Sequence, residues 1–229
     1  MKIGIEGNLI RYCLRNAYFI TGTAYAGKST MVKMLAEKHN MIFCGENYHD
    51  TLAGQAATVK KQPNLCYFQT MRDWQEFLNR TPREYDRWIT ETSREAGEIE
   101  LVELLRLSAS GRKIIVDTNI PLNVLREVSE YSRVAVMVCP QSLSVEHFFD
   151  REDPEKRFLL SQIQQAEDPA KTMANFRGCI ARVNSKEHYD EYVQSGFFVL
   201  ERRDMEADTK KETLAALESH FGLTQGSPD

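Results

Sequence analysis

Lys28 and Ser29 close the run Gly22-Thr23-Ala24-Tyr25-Ala26-Gly27-Lys28-Ser29-Thr30, which fits the pattern G-x-x-x-x-G-K-[ST]. Each residue type has a chemical reason. Glycines let a backbone wrap closely around phosphate oxygens, with the amides of the loop and of a following helix turned inward at the anion. A lysine at this place reaches β- and γ-phosphates, and the adjacent hydroxyl suits Mg²⁺. The nine residues from Gly22 to Thr30 are therefore expected to hold the phosphates of ATP. A second oxygen donor stands at Asp117, which ends the apolar run Lys113-Ile114-Ile115-Val116. A carboxylate there is expected to share Mg²⁺ with Ser29.

Two further groups could act on what the phosphate meets. Glu46, His49 and Asp50 follow the short apolar run Met41-Ile42-Phe43-Cys44. Loops at the carboxyl ends of parallel strands line the crevice in open α/β sheets, so Asp50 is expected to orient or deprotonate an acceptor hydroxyl. Glu46 is its alternate as proton acceptor, His49 is placed to hydrogen-bond the hydroxyl, and a helix cap or solvated loop is the bland alternative. Arg151, Lys156 and Arg157 lie in the charged stretch Asp150-Arg-Glu-Asp-Pro-Glu-Lys-Arg157. Arg151 and Arg157 are the candidates for closing over the triphosphate and stabilising charge on the transferring group; a surface salt-bridge cluster is the alternative.

These groups need elements to position them. Tyr18-Phe19-Ile20-Thr21, residues 41–44, 113–117, 133–138 and Phe197-Phe198-Val199-Leu200 read as buried strands. Met31, Met34 and Leu35 give helical spacing directly after the glycine-rich loop. From 51 to 110 no strand is expected. Tyr67, Phe68, Met71, Trp74, Phe77 and Leu78 recur at helical spacing. Thr81-Pro82-Arg83-Glu84 then supplies an N-cap, a proline at the first helical position and a capping-box glutamate. A long helix should follow and stop near Gly111. So large a helical insertion between two strands exceeds an ordinary crossover and is expected to form a substrate-binding flap. One or two of Arg72, Arg80, Arg83, Arg87 and Arg94 should meet an anionic substrate there. Pro154 is expected to interrupt a helix and leave a short exposed lid at about 150–157. Arg177 and Arg182 are placed as support for that lid, and Arg203 or Asp204 as a wall of the nucleobase site.

Composition narrows the classes. The 229 residues carry a net charge of −4, which argues against nonspecific nucleic-acid binding. No apolar run approaches a membrane span, and the N-terminal residues do not resemble a signal peptide. Five scattered cysteines without metal-ligand spacing suit a reduced cytoplasmic protein, with Cys44 and Cys139 as buried hydrophobes. A single domain spanning 1–229 is expected, as a monomer or homodimer.

With these pieces placed, the chain resembles the P-loop small-molecule kinases of the nucleoside monophosphate kinase and shikimate kinase superfamily. The resemblance rests on Gly22 to Ser29, Asp117, the helical insertion, the charged run from Arg151 to Arg157, and Phe197-Phe-Val-Leu-Glu-Arg-Arg-Asp204 before a last helix. It implies a three-layer α/β fold with a five-stranded parallel sheet ordered 2-3-1-4-5, together with ATP, Mg²⁺ and γ-phosphoryl transfer. Asp117-Thr118-Asn119 lacks the Asp-Gly-x-Pro-Arg run frequent in monophosphate kinases, and Tyr48-His49-Asp50 stands where shikimate kinases carry Asp-x-Asp. The leading expectation is transfer to a hydroxyl of a small molecule. A nucleoside or nucleotide kinase is one alternative. The other is a nucleotide-binding regulatory protein, which an exposed patch of Trp74, Trp88 and Tyr85 would favour.

Overall fold

The five apolar runs form five strands in the computed structural model, which describes residues 4–146, 148–149, 154–202 and 208–224. They are β1 (Ala17–Gly22), β2 (Ile42–Cys44), β3 (Ile114–Asp117), β4 (Val134–Val138) and β5 (Phe198–Glu201). All pair in parallel in the order β2-β3-β1-β4-β5, the order the resemblance implies. β3 and β4 are buried along their whole length. That explains why they read as unbroken apolar runs rather than alternating ones.

Alternate residues of each strand serve opposite layers. Tyr18, Ile20, Ile115, Ala135 and Met137 pack against α2 (Lys28–Lys38) and the last helix, through Val32, Leu35, Leu217 and Phe221. Phe19, Ile114, Val116 and Val134 face the other way, onto Leu14, Leu104 and Leu125. In chain order the helices are α1 (Gly7–Cys13), α2, α3 (Asp50–Ala56), α4 (Trp74–Leu78), α5 (Pro82–Ser108), α6 (Leu122–Val128), α7 (Gln141–Glu146), α8 (Pro154–Gln164), α9 (Pro169–Val183), α10 (Lys186–Val193) and α11 (Lys210–Phe221). Among the described residues, no helix is long and apolar enough to cross a membrane.

The insertion between β2 and β3 is helical, with two departures from the expected layout. Tyr67 to Leu78 is not one helix. A 3₁₀ turn over Tyr67–Gln69 gives way to α4, because Asp73 adopts an extended backbone and caps the amide of Glu76 at 2.9 Å. Nor does the insertion stand alone. Phe77, Leu78 and Tyr85 share one core with Ile163, Phe176, Cys179 and Ile180, so α8 and α9 complete the helical unit. Its long helix starts as expected: the Thr81 amide donates to Glu84 at 2.8 Å, and the Glu84 amide donates back to Thr81 Oγ1 at 3.3 Å. Among the described residues, 154–157 are helical and lie in α8 rather than in an exposed loop.

Candidate active site

The turn out of β1 needs glycine for a steric reason. Gly22 has φ +133°, and a Cβ there would lie 1.9 Å from the carbonyl oxygen of Met137 on β4. The next residue fastens the loop. The Thr23 amide donates to Met137 O at 3.0 Å, and its Oγ1 accepts from the Cys139 amide at 2.8 Å. Tyr25 sits in the left-handed region at φ +64°. Burial of its ring holds it there, and Arg202 at the end of β5 donates to its carbonyl at 3.5 Å. Gly27, at φ +88°, turns the chain into α2, whose first turn carries no acidic residue. The loop thus ends on a helix N-terminus, where the dipole and free amides favour an anion.

Lys28 and Ser29 open α2 with their heads toward the carboxyl edge of the sheet. Lys28 Nζ donates to Thr23 O at 3.0 Å, folded over its own loop. Ser29 Oγ donates to Asp117 Oδ2 at 2.9 Å. Asp117 is buried, and loss of water pushes its carboxyl above the usual range; the Lys28 charge and the Ser29 bond pull the other way, while Glu46 adds to the rise. An anion cradle, an ammonium group and two hard oxygen donors therefore meet at one point. The Ser29–Asp117 pair fits Mg²⁺, which takes one or two protein oxygens and completes its shell with water and phosphate.

The segment after β2 is held by a residue that the periodic reading of α5 concealed. Glu100 is fully buried and accepts from Thr118 Oγ1 at 2.6 Å, Asn119 N at 3.2 Å, Asn119 Nδ2 at 3.0 Å and Tyr48 OH at 3.3 Å. His49 Nδ1 lies 3.4 Å from the same carboxylate without making a hydrogen bond. One side chain thus ties α5, the end of β3 and the post-β2 turn together. Burial pushes its carboxyl above the usual range, against the opposing bonds from Thr118 and Asn119. Spacing gives only its face: Ala96, Glu100 and Leu104 lie on one side of the helix and are all buried, whereas the partners of Glu100 come from distant segments.

The expected residues divide accordingly. Gly22 to Ser29 and Asp117 converge. Asp50 opens α3 with its side chain 69% exposed, and His49 Nε2 lies 3.7 Å from its Oδ1. Among the described residues no hydrogen bond or ion pair joins Asp50 to Lys28, Ser29 or Asp117, whereas Glu46 is near enough to bear on Asp117. On α8, Arg157 is exposed, and Lys156 beside it places its ammonium 5.3 Å from the centre of the Tyr25 ring. Arg151, Arg203 and Asp204 lie outside the described residues; Arg202, unforeseen, is what the end of β5 brings to the loop.

Several arginines are spent on structure. Arg182, expected behind the lid, pairs with Asp86 at 3.0 Å and Glu187 at 3.0 Å, tying α9 to α5. Arg72, in the bend before α4, pairs with Glu76 of that helix, and Arg94 pairs with Glu91 and Glu98 on its own helix. Tyr85 is buried and Trp74 and Trp88 pack in the helical unit's core, so the aromatic patch that would favour a regulatory subunit is not formed.

No protein-family model matches the chain, and no curated protein matches it. Among solved structures it is similar to dephospho-CoA kinase from Campylobacter jejuni, at 17% identity over 91% of this chain and 99% of that one, with a TM-score of 0.43. A likeness at that level leaves the reading of the site to its own residues.

Proposed function

We propose that the protein transfers the γ-phosphoryl group of ATP to a hydroxyl of a small-molecule acceptor. The observation that carries this reading is the meeting of Lys28, Ser29 and Asp117 at the carboxyl ends of β1 and β3. In it, the amides of the Gly22–Thr30 loop bind the phosphates and Lys28 leaves Thr23 O to neutralise the β- and γ-oxygens. Ser29 and Asp117 would hold Mg²⁺, which would supply neutralisation of the charge that builds on the phosphates. Arg202 keeps the strained Tyr25 turn in shape. Lys156 and Arg157 cover the phosphates from α8, Arg151 is assigned the same role, and together they exclude water, so that hydrolysis does not compete.

On the acceptor side, Glu100 fixes the post-β2 turn, and Asp50 orients the hydroxyl and takes its proton, with Glu46 closer to the metal end. Catalysis on this reading is positioning and electrostatics, since phosphoryl transfer leaves little covalent work to the protein. The test is thermal denaturation with a metabolite panel, alone and with a nonhydrolysable ATP analogue. A metabolite that stabilises only in the analogue's presence identifies the acceptor, because ligands of the folded state raise its melting temperature. If nucleoside monophosphates alone do so, the acceptor is a nucleotide phosphate and the hydroxyl assignment is wrong.

A further inference from the structure

Two carboxylates face the two ring nitrogens of His49. Its side chain is 5% exposed, with Nδ1 3.4 Å from Glu100 Oε1 and Nε2 3.7 Å from Asp50 Oδ1. The two acids differ in kind. Glu100 is fully buried and tied to Tyr48 and to the residues that follow β3, whereas Asp50 is exposed. The imidazole therefore stands between a fixed anchor and a carboxylate that can meet a ligand. Tyr48 flanks the pair, its ring edge-on to the imidazole at 6.1 Å, and Glu103 on α5 is near enough to bear on Tyr48.

Neither capping nor packing accounts for this histidine. It precedes α3, but its side chain makes no capping bond. The backbone around it is held without it, by Ala53 N to His49 O at 2.8 Å and Asp50 N to Asn47 O at 3.1 Å. A buried place that asked only for volume would take an apolar residue, because Nδ1 is buried and has no hydrogen-bond partner. The segment also starts beside the phosphate crevice. Cys44 pairs with Val116 in the sheet, so the chain leaves β2 level with Asp117.

We propose that His49 is the positioning residue of the acceptor side, acting through Asp50. The inference rests on the transfer reaction proposed above, with Asp50 as proton acceptor. In that role Nε2–H donates to Asp50 Oδ1 and leaves Oδ2 toward the hydroxyl, while Glu100 holds the ring from behind at Nδ1. An exposed carboxylate on the first residue of a helix otherwise turns freely, and misplacement by about an ångström is costly to a positioned reaction. In the step itself the hydroxyl proton goes to Asp50 Oδ2 as the hydroxyl oxygen bonds to the γ-phosphorus. The bond to the β–γ bridging oxygen breaks, and its electron pair leaves on ADP. His49 is buried and does not touch the acceptor.

Two amide substitutions separate this role from a structural one. In His49→Asn the amide reproduces Nδ1 and keeps a donor at Glu100, but it does not reach Asp50. In His49→Gln the amide reproduces Nε2 and keeps the donor at Asp50. Turnover of Mg²⁺-ATP with water as the acceptor is followed by phosphate release, and Mg²⁺-ATP affinity by calorimetry. His49→Asn should lower kcat about tenfold or more and His49→Gln should stay within about threefold of the wild type, both binding Mg²⁺-ATP within about twofold. Equal loss in the two variants, or a greater loss in His49→Gln, overturns the proposal. Wild-type turnover in Asp50→Asn removes Asp50 from the reaction and this inference with it. Loss in Asp50→Asn without loss in His49→Asn removes the inference alone. Should water be too slow an acceptor or a variant fail to fold, proton NMR of the ¹⁵N-labelled chain decides. His49 Nε2–H should then give a downfield, exchange-protected resonance that is lost in Asp50→Ala; its absence from the wild type, or its persistence in Asp50→Ala, overturns the proposal.

Discussion

The hydroxyl of Ser29 donates to Asp117 Oδ2 at 2.9 Å, joining positions separated by 88 residues of sequence. This bond brings the start of α2 to the end of β3. It also pairs two groups whose types suit a metal better than they suit folding, since the carboxylate it engages is buried and pushed toward protonation.

Asp117→Asn should therefore separate stability from activity. Removing a buried carboxylate whose ionised form is disfavoured leaves the melting temperature unchanged or raised, while Mg²⁺-dependent transfer falls about 100-fold or more. Calorimetry and a phosphoryl-transfer assay on the same preparation check both halves. A variant that melts lower and keeps its activity would remove Asp117 from the metal role.

Gly22→Ala should destabilise the protein by about 3 kcal/mol or more, through the clash with Met137 O and the positive φ. Gly54→Ala is the matched control, because a Cβ there meets nothing within 4 Å. Urea midpoints of the two variants give the comparison; similar values would mean that the β1 turn can relax.

Glu100 predicts a pH dependence. Its folded-state carboxyl is raised by burial, so between the unfolded and folded values the native state holds a proton that the unfolded chain has released. Its contribution is most favourable below the ordinary glutamate range and declines as pH rises through the folded value. Relative to Glu100→Gln, which does not titrate, the wild type should lose stability over that interval as pH increases. Thermal midpoints measured in half-unit steps from pH 4.5 upward test the sign; a wild type that gains on the variant with rising pH contradicts it.

Glu95 is the corresponding anchor of the flap. It accepts from the amides of Asn64 at 3.0 Å and Leu65 at 2.8 Å and from Asn64 Nδ2 at 2.8 Å. Glu95→Ala leaves these donors without an acceptor and should cost about 2–4 kcal/mol. Hydrogen exchange at the Asn64 and Leu65 amides should accelerate well beyond that at β3. Uniform acceleration along the chain would show instead that the segment unfolds only with the whole.

Much of this was legible in order along the chain. Strands buried on both faces leave unmistakable apolar runs, and the glycine-lysine-serine spacing and the Thr81–Glu84 box are local patterns whose partners lie within a few residues. What depends on distant partners was not legible. Glu100 looks like an ordinary helical acid until Thr118, Asn119 and Tyr48 are seen to converge on it. The break before α4 rests on the backbone of Asp73. α10 went unforeseen because its inward residues are only Tyr189 and Tyr192, set against Val136 and Val138 by the fold rather than by a stripe of their own. Arginines were the least readable: Arg72, Arg94 and Arg182 found carboxylates, and Arg80 an aromatic bed.

The central claim is that the loop from Gly22 to Thr30 binds the phosphates of ATP, and Lys28 tests it most directly because its one described bond, to Thr23 O, is within the loop itself. Calorimetric titration of Mg²⁺-ATP into the wild type and Lys28→Ala, with melting curves of both, is the decisive measurement. The account predicts saturable one-site binding to the wild type, weakened about tenfold or more in a variant that melts normally. Absence of binding to the wild type, or equal affinity in the two proteins, would contradict it.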